Sequence, residues 1–192
     1  MKLAIVIFAF NEEESIGGVL GRIPTVIEGI DETDVIVVDD GSTDGTRALA
    51  LALGARVVSH AKNRGLGAAF ATAIDTALRA GADIIVSLDG DGQHPPEAIP
   101  LLIAPLLAGE ADFATATRFS DPALAPRMPA LNRLGNRLVA RITGLACGRP
   151  FTDAACGFRA YSRDAALRIN IFGGHTYTQE CLLDLARKGV AM

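Results

Sequence analysis

The sequence predicts an α/β domain, a three-layer α/β/α sandwich with helices on both faces of a mostly parallel sheet. Short aliphatic runs alternate with helical segments through the first 118 residues, the pattern of successive βαβ units. The runs are apolar throughout rather than at every second residue, as expected of strands covered on both faces. A third observation gives the sheet a working edge. Asn11-Glu12, Asp39-Asp40 and Asp89-Gly90-Asp91 each follow such a run, and ligands in parallel sheets bind at the carboxyl ends of the strands.

Residues 3–9 form the first aliphatic strand, and residues 12–23 a helix with Asn11 as candidate N-cap and acids in its first turn. Residues 35–38 form the second strand. A helix over 43–53 stops at Gly54, and a third strand covers 56–59. An Ala-rich helix over 67–80 stops at Gly81. The fourth strand, 84–88, runs into Asp89, and Pro95 opens a helix over 95–107. Residues 113–117 make a fifth strand. Beyond it the pattern loosens: a Pro- and Asp-rich loop over 120–127, a helix over 130–143 ended by Gly144, a loop over 148–156, a short strand over 158–161 and a helix over 178–188. Residues 189–192 read as a strand just starting, so the chain is expected to be cut short or minimal. One domain is predicted over 1–192, with no repeats and no low-complexity linker.

Composition narrows the function. The 192 residues are 49% hydrophobic and contain no Trp, so the core is aliphatic. The net charge of −4 gives no basic excess of the kind a nucleic-acid binder carries. Cys147, Cys156 and Cys181 are an odd, sparse set without a Cys-x-x-Cys pair, which argues against a disulfide framework or zinc site and for a cytoplasmic setting. The apolar N-terminus lacks a cleavage site and reads as a strand rather than a signal peptide. No apolar run has the length of a membrane span, so any membrane work is done from the surface.

Asp89-Gly90-Asp91-Gly92-Gln93 can turn two carboxylates toward one hard cation, with glycine permitting the tight path. Mg²⁺ or Mn²⁺ takes few protein carboxylates and completes its shell with phosphate and water. An Asp-Gly surface turn is the competing reading. Asp39-Asp40-Gly41-Ser42-Thr43-Asp44 places two acids after a strand, suited to ribose hydroxyls or a base N–H; a capped loop explains Ser42 and Asp44 but not the paired acids. Asn63-Arg64-Gly65-Leu66-Gly67 lacks the last glycine of a dinucleotide-binding loop and reads as a close-packing loop bordering a ligand. On the helix over 130–143, Arg133, Arg137 and Arg141 form a basic stripe beside Leu131, Leu134, Leu138 and Ile142. The leucine stripe faces either the core or an anionic lipid surface.

Taken in order, Ala9-Phe10-Asn11-Glu12, Val38-Asp39-Asp40-Gly41-Ser42, Asp89-Gly90-Asp91 with His94-Pro95-Pro96, Asp153-x-x-Cys156-Gly157-Phe158-Arg159 and Gln179-Glu180 resemble the family-2 glycosyltransferases of the GT-A fold. The closest-looking branch is the dolichyl- or polyprenyl-phosphate mannose and glucose synthases. Phe8 stands where that family usually has Pro. The resemblance implies an inverting, Mg²⁺- or Mn²⁺-dependent transfer of a hexose from a nucleoside diphosphate sugar (GDP-mannose or UDP-glucose type) to a polyprenyl phosphate. A soluble or polysaccharide acceptor, and a nucleotide-sugar-binding module without catalysis, are the alternatives. It implies that Ala9, Phe10, Glu12, Asp39 and Asp40 contact the nucleoside, and that Asp89, Gly90, Asp91 and Gln93 lie at the metal and diphosphate. Asp89, Asp91 and Gln93 would be the metal ligands. Arg118, Arg127 and Arg133 would meet the acceptor phosphate. Asp91, Asp153 and Glu180 would be the catalytic residues, with Asp153 the base for a hydroxyl acceptor. Residues 1–118 would be the donor half and 119–192 the acceptor half, working at the cytoplasmic face of a membrane.

Overall fold

A computed structural model describes residues 1–119, 130–170 and 177–192, with the side chains of 130–133 outside that description. The strands are β1 (Lys2–Ala9), β2 (Glu32–Asp39), β3 (Arg56–Ser59), β4 (Ile84–Asp89), β5 (Phe113–Thr115) and β6 (Arg159–Ser162). They form one six-stranded sheet in the order β3-β2-β1-β4-β6-β5. The first four are mutually parallel, while β6 runs antiparallel to both β4 and β5.

Alternation along β1 sorts the core into two layers. Leu3, Ile5 and Ile7 face one side, where Ile16 and Val19 of α1 (Ile16–Gly21), Ala50 of α2 (Thr46–Ala52) and Ile99, Leu102 and Ile103 of α4 (Ile99–Leu107) close over them. Ala4, Val6 and Phe8 face the other, against Ala69, Phe70 and Ala73 of α3 (Leu66–Arg79) and Cys181, Leu182 and Leu185 of α7 (Tyr177–Arg187). Both faces of the sheet are covered, so the continuous apolar runs are accounted for. Phe8 packs its ring on Phe70 and Tyr177, with centroids 6.3 and 6.1 Å away.

Several expected boundaries move. The helix foreseen over 12–23 begins only at Ile16, because residues 12–15 form a turn. Asn11 does not cap it: its φ is +56, and its side chain reaches across to Thr43 instead. The helix foreseen from 43 starts at Thr46. Of the candidate caps Ser42 and Asp44, Asp44 accepts from the Thr46 amide (3.0 Å), whereas Ser42 is spent on the Asn11 amide of the neighbouring loop. Pro95 precedes a single 3₁₀ turn, Pro96–Ala98, before α4. The strand β5 ends at Thr115, two residues early.

The second half differs more. Gly144 does not end the helix; α5 runs Ala130–Cys147. A methyl group at Gly144 would stand 2.9 Å from the Arg149 carbonyl, so this glycine admits the returning chain. The leucine stripe of α5 is not core: Leu134, Leu138 and Ile142 are exposed, and Ala140, Thr143 and Gly144 make the buried face. An unforeseen helix, α6 (Arg163–Arg168), is capped by the Ser162 hydroxyl accepting from the Ala165 amide. No strand forms at 189–192; the Ala191 carbonyl accepts from Asp112 and Phe113 at the start of β5. The loop expected over 120–127 lies outside the described residues. Cys147, Cys156 and Cys181 are free thiols, the last two buried.

Candidate active site

The strand order turns at β1, with β2 on one side and β4 on the other, which is where ligands enter open α/β sheets. Register sets the acids around that point: Ala9 lies opposite Asp39, and Phe8 opposite Asp89. A cleft of about 470 Å³ opens there, lined by Ala9, Phe10, Glu12, Asp40, Asp89 and Asp91 among others. Phe10 is exposed at its mouth.

One wall is made by two loops bonded to each other. The Asn11 amide donates to Ser42 Oγ (2.9 Å), the Glu12 amide to Thr46 Oγ1 (2.7 Å) and the Thr43 amide to Asn11 Oδ1 (2.9 Å). The Glu12 carboxylate accepts from the Ser15 hydroxyl at 2.6 Å. Gly41 has φ +78, and a methyl group there would stand 2.5 Å from the Lys62 backbone, so the loops after β2 and β3 approach as only glycine allows.

Asp39 and Asp40 are both buried. Asp39 accepts from the Ser42 amide (2.9 Å). Asp40 accepts from the amides of Arg64 (2.9 Å) and Gly65 (2.8 Å), while His60 Nδ1 lies 2.6 Å from its Oδ1 and His60 Nε2 lies 2.9 Å from Thr72 Oγ1. Asp40 thus secures the glycine loop that starts α3, with one edge on the cleft. The His60 partnership was not foreseen. Its signal lay in topology rather than spacing, since Asp40 and His60 follow neighbouring parallel strands.

Asp89 and Asp91 stand at the end of β4. Asp89 is half-buried, and its carboxyl is pushed up to about 6, first by desolvation and then by the negative charge of Asp91. Asp91 is exposed, with its Oδ1 accepting from the Gln93 amide (2.9 Å); Gln93 is exposed beside it. Gly90 is packed against the Phe8 carbonyl, 2.9 Å from where a methyl group would stand. Among the described residues no three His, Cys, Asp or Glu side chains cluster as metal ligands. Two carboxylates lining the cleft nonetheless fit Mg²⁺ or Mn²⁺, which bind through one or two carboxylates plus substrate phosphate and water.

The loop over 153–157 is anchored by Asp153. Arg118 donates to it through Nε (2.7 Å) and Nη2 (3.0 Å), a bidentate pair, and Asp153 is fully buried. Hydrogen bonding and the charge of Arg118 outweigh burial and hold the Asp153 carboxyl below its usual range; the same pairing raises Arg118. Arg159 is wholly buried and donates to the carbonyls of Cys156 (2.8 Å), Thr178 (2.7 Å) and Ala154 (3.1 Å), tying the 153–157 loop to the first turn of α7. Glu180 stands half-buried in that turn. Arg127 and the Arg133 side chain lie outside the described residues.

The family model for Glycosyl transferase family 2 matches residues 4–169. The UDP-N-acetylglucosamine–dolichyl-phosphate N-acetylglucosaminyltransferase of Methanococcus voltae is 30% identical over 84% of this chain and 69% of its own. The polyprenol monophosphomannose synthase of Mycolicibacterium smegmatis is 32% identical over 87% of this chain and 64% of its own. Among solved structures, glucosyl-3-phosphoglycerate synthase of Mycobacterium tuberculosis with UDP superimposes with a TM-score of 0.73 at 28% identity, over 97% of this chain and 66% of that one. The same enzyme with Mn²⁺, UDP-glucose and phosphoglyceric acid also gives 0.73 at 28% identity, over 97% of this chain and 65% of that one. The chain thus spans about two thirds of the length of these relatives. The match over most of its length, the alternating sheet and the acids at the ends of β1, β2 and β4 agree: this chain belongs to glycosyl transferase family 2 and has the GT-A fold.

Proposed function

We propose that the chain is the donor-binding catalytic domain of an inverting, metal-dependent glycosyltransferase that moves a hexose from a nucleoside diphosphate sugar to a polyprenyl phosphate. The observation that carries this is the Asp89/Asp91 pair at the cleft where β1 and β4 end, with Asp153 and Arg118 close enough to act on the same charges. Residues 1–118 serve the donor and 119–192 the acceptor. A bound Mg²⁺ or Mn²⁺, held by Asp89 and Asp91 with Gln93 nearby, would neutralise charge on the departing diphosphate.

In this reading, Ala9, Phe10, Glu12 and Asp40 line the nucleoside end of the cleft, Asp40 also shaping it through the 60–65 loop, and Asp39 lies buried behind them. An acceptor phosphate oxygen attacks the anomeric carbon as the bond to the diphosphate breaks, inverting that centre. A phosphate is already anionic near neutral pH, so it needs orientation rather than deprotonation. Asp153, bound bidentately and held below the ordinary carboxylate range, suits that orienting role through Arg118 better than the role of base. Glu180, in the first turn of α7, completes the proposed catalytic set.

A lipid-linked acceptor is supported by a second cavity of about 860 Å³, bounded by Phe119, Leu145 and Phe151 with Arg137, Arg141 and Arg149. The outward Leu134, Leu138 and Ile142 of α5 continue this apolar surface. It would let the chain sit on the cytoplasmic face of a membrane; no helix among the described residues is long and apolar enough to cross one. The solved relatives with phosphoglyceric acid favour a second reading, a small phosphorylated acceptor. Transfer of labelled sugar measured with polyprenyl phosphate and with soluble phosphate esters in parallel separates them. Incorporation into the lipid alone is expected, and incorporation into the soluble ester alone would replace the first reading by the second.

A further inference from the structure

Among the described residues the Tyr177 hydroxyl is a buried polar atom with no hydrogen-bond partner. Its residue opens α7 and is 1% exposed, with the ring fixed between Phe8 (6.1 Å) and Phe70 (4.8 Å). An unsatisfied buried hydroxyl is costly and rare in folded proteins, so each instance calls for a reason. The reason here lies at Gly157. A methyl group on Gly157 would stand 3.3 Å from the Tyr177 hydroxyl and 2.8 Å from Asp89 Oδ2. Both polar atoms therefore crowd the same bare Cα. The hydroxyl is a donor in search of an acceptor, and the carboxylate is the nearest charged acceptor that this placement offers.

We infer that Tyr177 is a positioning residue for Asp89: its hydroxyl donates to the Asp89 carboxylate once that group turns to hold the divalent cation. This rests on the reading of Asp89 as a metal and diphosphate ligand. Outer hydrogen bonds to ligating carboxylates fix their orientation, and losing one typically weakens metal binding by about tenfold or more. Gly157 belongs to the same device, since any side chain there would separate donor from acceptor. The motif Cys156-Gly157-Phe158 carries the loop past, with Arg159 holding it from beneath.

The test compares Tyr177→Phe, Asp89→Asn and the unmodified chain by Mn²⁺ titration in the presence of UDP or GDP, read by the electron paramagnetic resonance of free Mn²⁺. Tyr177→Phe keeps the ring and removes only an unpartnered group, so the fold is expected to survive, as thermal unfolding without metal will register. The expected result is about tenfold weaker Mn²⁺ binding in Tyr177→Phe and a larger loss in Asp89→Asn. The chain has two tyrosines and no tryptophan, so the tyrosine Raman doublet gives an independent readout. Adding Mn²⁺ and nucleotide should shift it toward the hydrogen-bonded ratio, and the shift should vanish in Tyr177→Phe, which leaves Tyr161 alone. Undiminished Mn²⁺ affinity in Tyr177→Phe, with Asp89→Asn impaired, overturns the positioning role while sparing the metal site. Undiminished affinity in Asp89→Asn overturns the metal reading itself and this inference with it.

Discussion

At the residue scale, two acids of the candidate site, Asp89 and Asp153, are perturbed in opposite directions. Asp89 is pushed up to about 6 by burial and by Asp91, so the folded state favours its protonated form. Its ionisation costs stability as pH rises from the ordinary carboxylate value through about 6, and the full cost applies above that. In metal-free protein, Asp89→Asn should therefore gain roughly 2 kcal/mol at about pH 8 and nothing near pH 4, as urea unfolding at both pH values will show. Binding of Mn²⁺ needs the ionised form, so affinity should fall as pH drops below about 6. Asp153 behaves in the reverse sense, because Arg118 stabilises its charge. Arg118→Ala leaves a fully buried carboxylate without its cation and should cost about 3 kcal/mol. A variant that unfolds at the wild-type urea midpoint would show that the pair contributes little.

At the element scale, the strands were legible and the turns between them less so. Continuous aliphatic runs located β1 and β4 closely because strands buried on both faces read as near-continuous apolar runs, whereas β2 begins three residues before the expected 35–38, in the polar Glu32-Thr33-Asp34. The helices after β1 and β2 were placed too early for a common cause. Acids and hydroxyls at 11–15 and 41–46 look like helix caps, but they bond across to one another and form the cleft wall. Gly144 misled in a similar way, since close approach of residue 149 and helix termination both call for glycine. The α5 leucines matched a core-facing stripe by spacing alone, which cannot tell a core from a docking surface. Arg159 shows what sequence could not reveal: a charge in a motif, completely buried and holding three carbonyls. Arg159→Lys cannot reproduce the planar fork and should destabilise the chain by about 3 kcal/mol, measured by thermal unfolding.

At the scale of the whole molecule, the parallel order β3-β2-β1-β4 gathers acids from three separate motifs at one edge, the proposed donor side. The proposed acceptor half depends on β6, whose antiparallel pairing with β4 brings the 153–157 loop and α7 up to Asp89. Nothing in local spacing forecast that reversal, because direction in a sheet is settled by long-range pairing. Asp40, Asp89, Arg118 and Asp153 could be named as candidates from the sequence, whereas the contacts of Arg118 with Asp153 and of Asp40 with His60, and the place of Tyr177, needed the fold. The central claim is that this edge binds a nucleoside diphosphate through a divalent cation held by Asp89 and Asp91. Calorimetric titration of UDP and of GDP, with and without Mn²⁺, on the unmodified chain and on Asp91→Ala tests it directly. The account predicts that one of the two nucleotides binds at least tenfold more tightly with Mn²⁺, and that Asp91→Ala abolishes this gain. Equal affinity with and without Mn²⁺, or a gain that persists in Asp91→Ala, would contradict it.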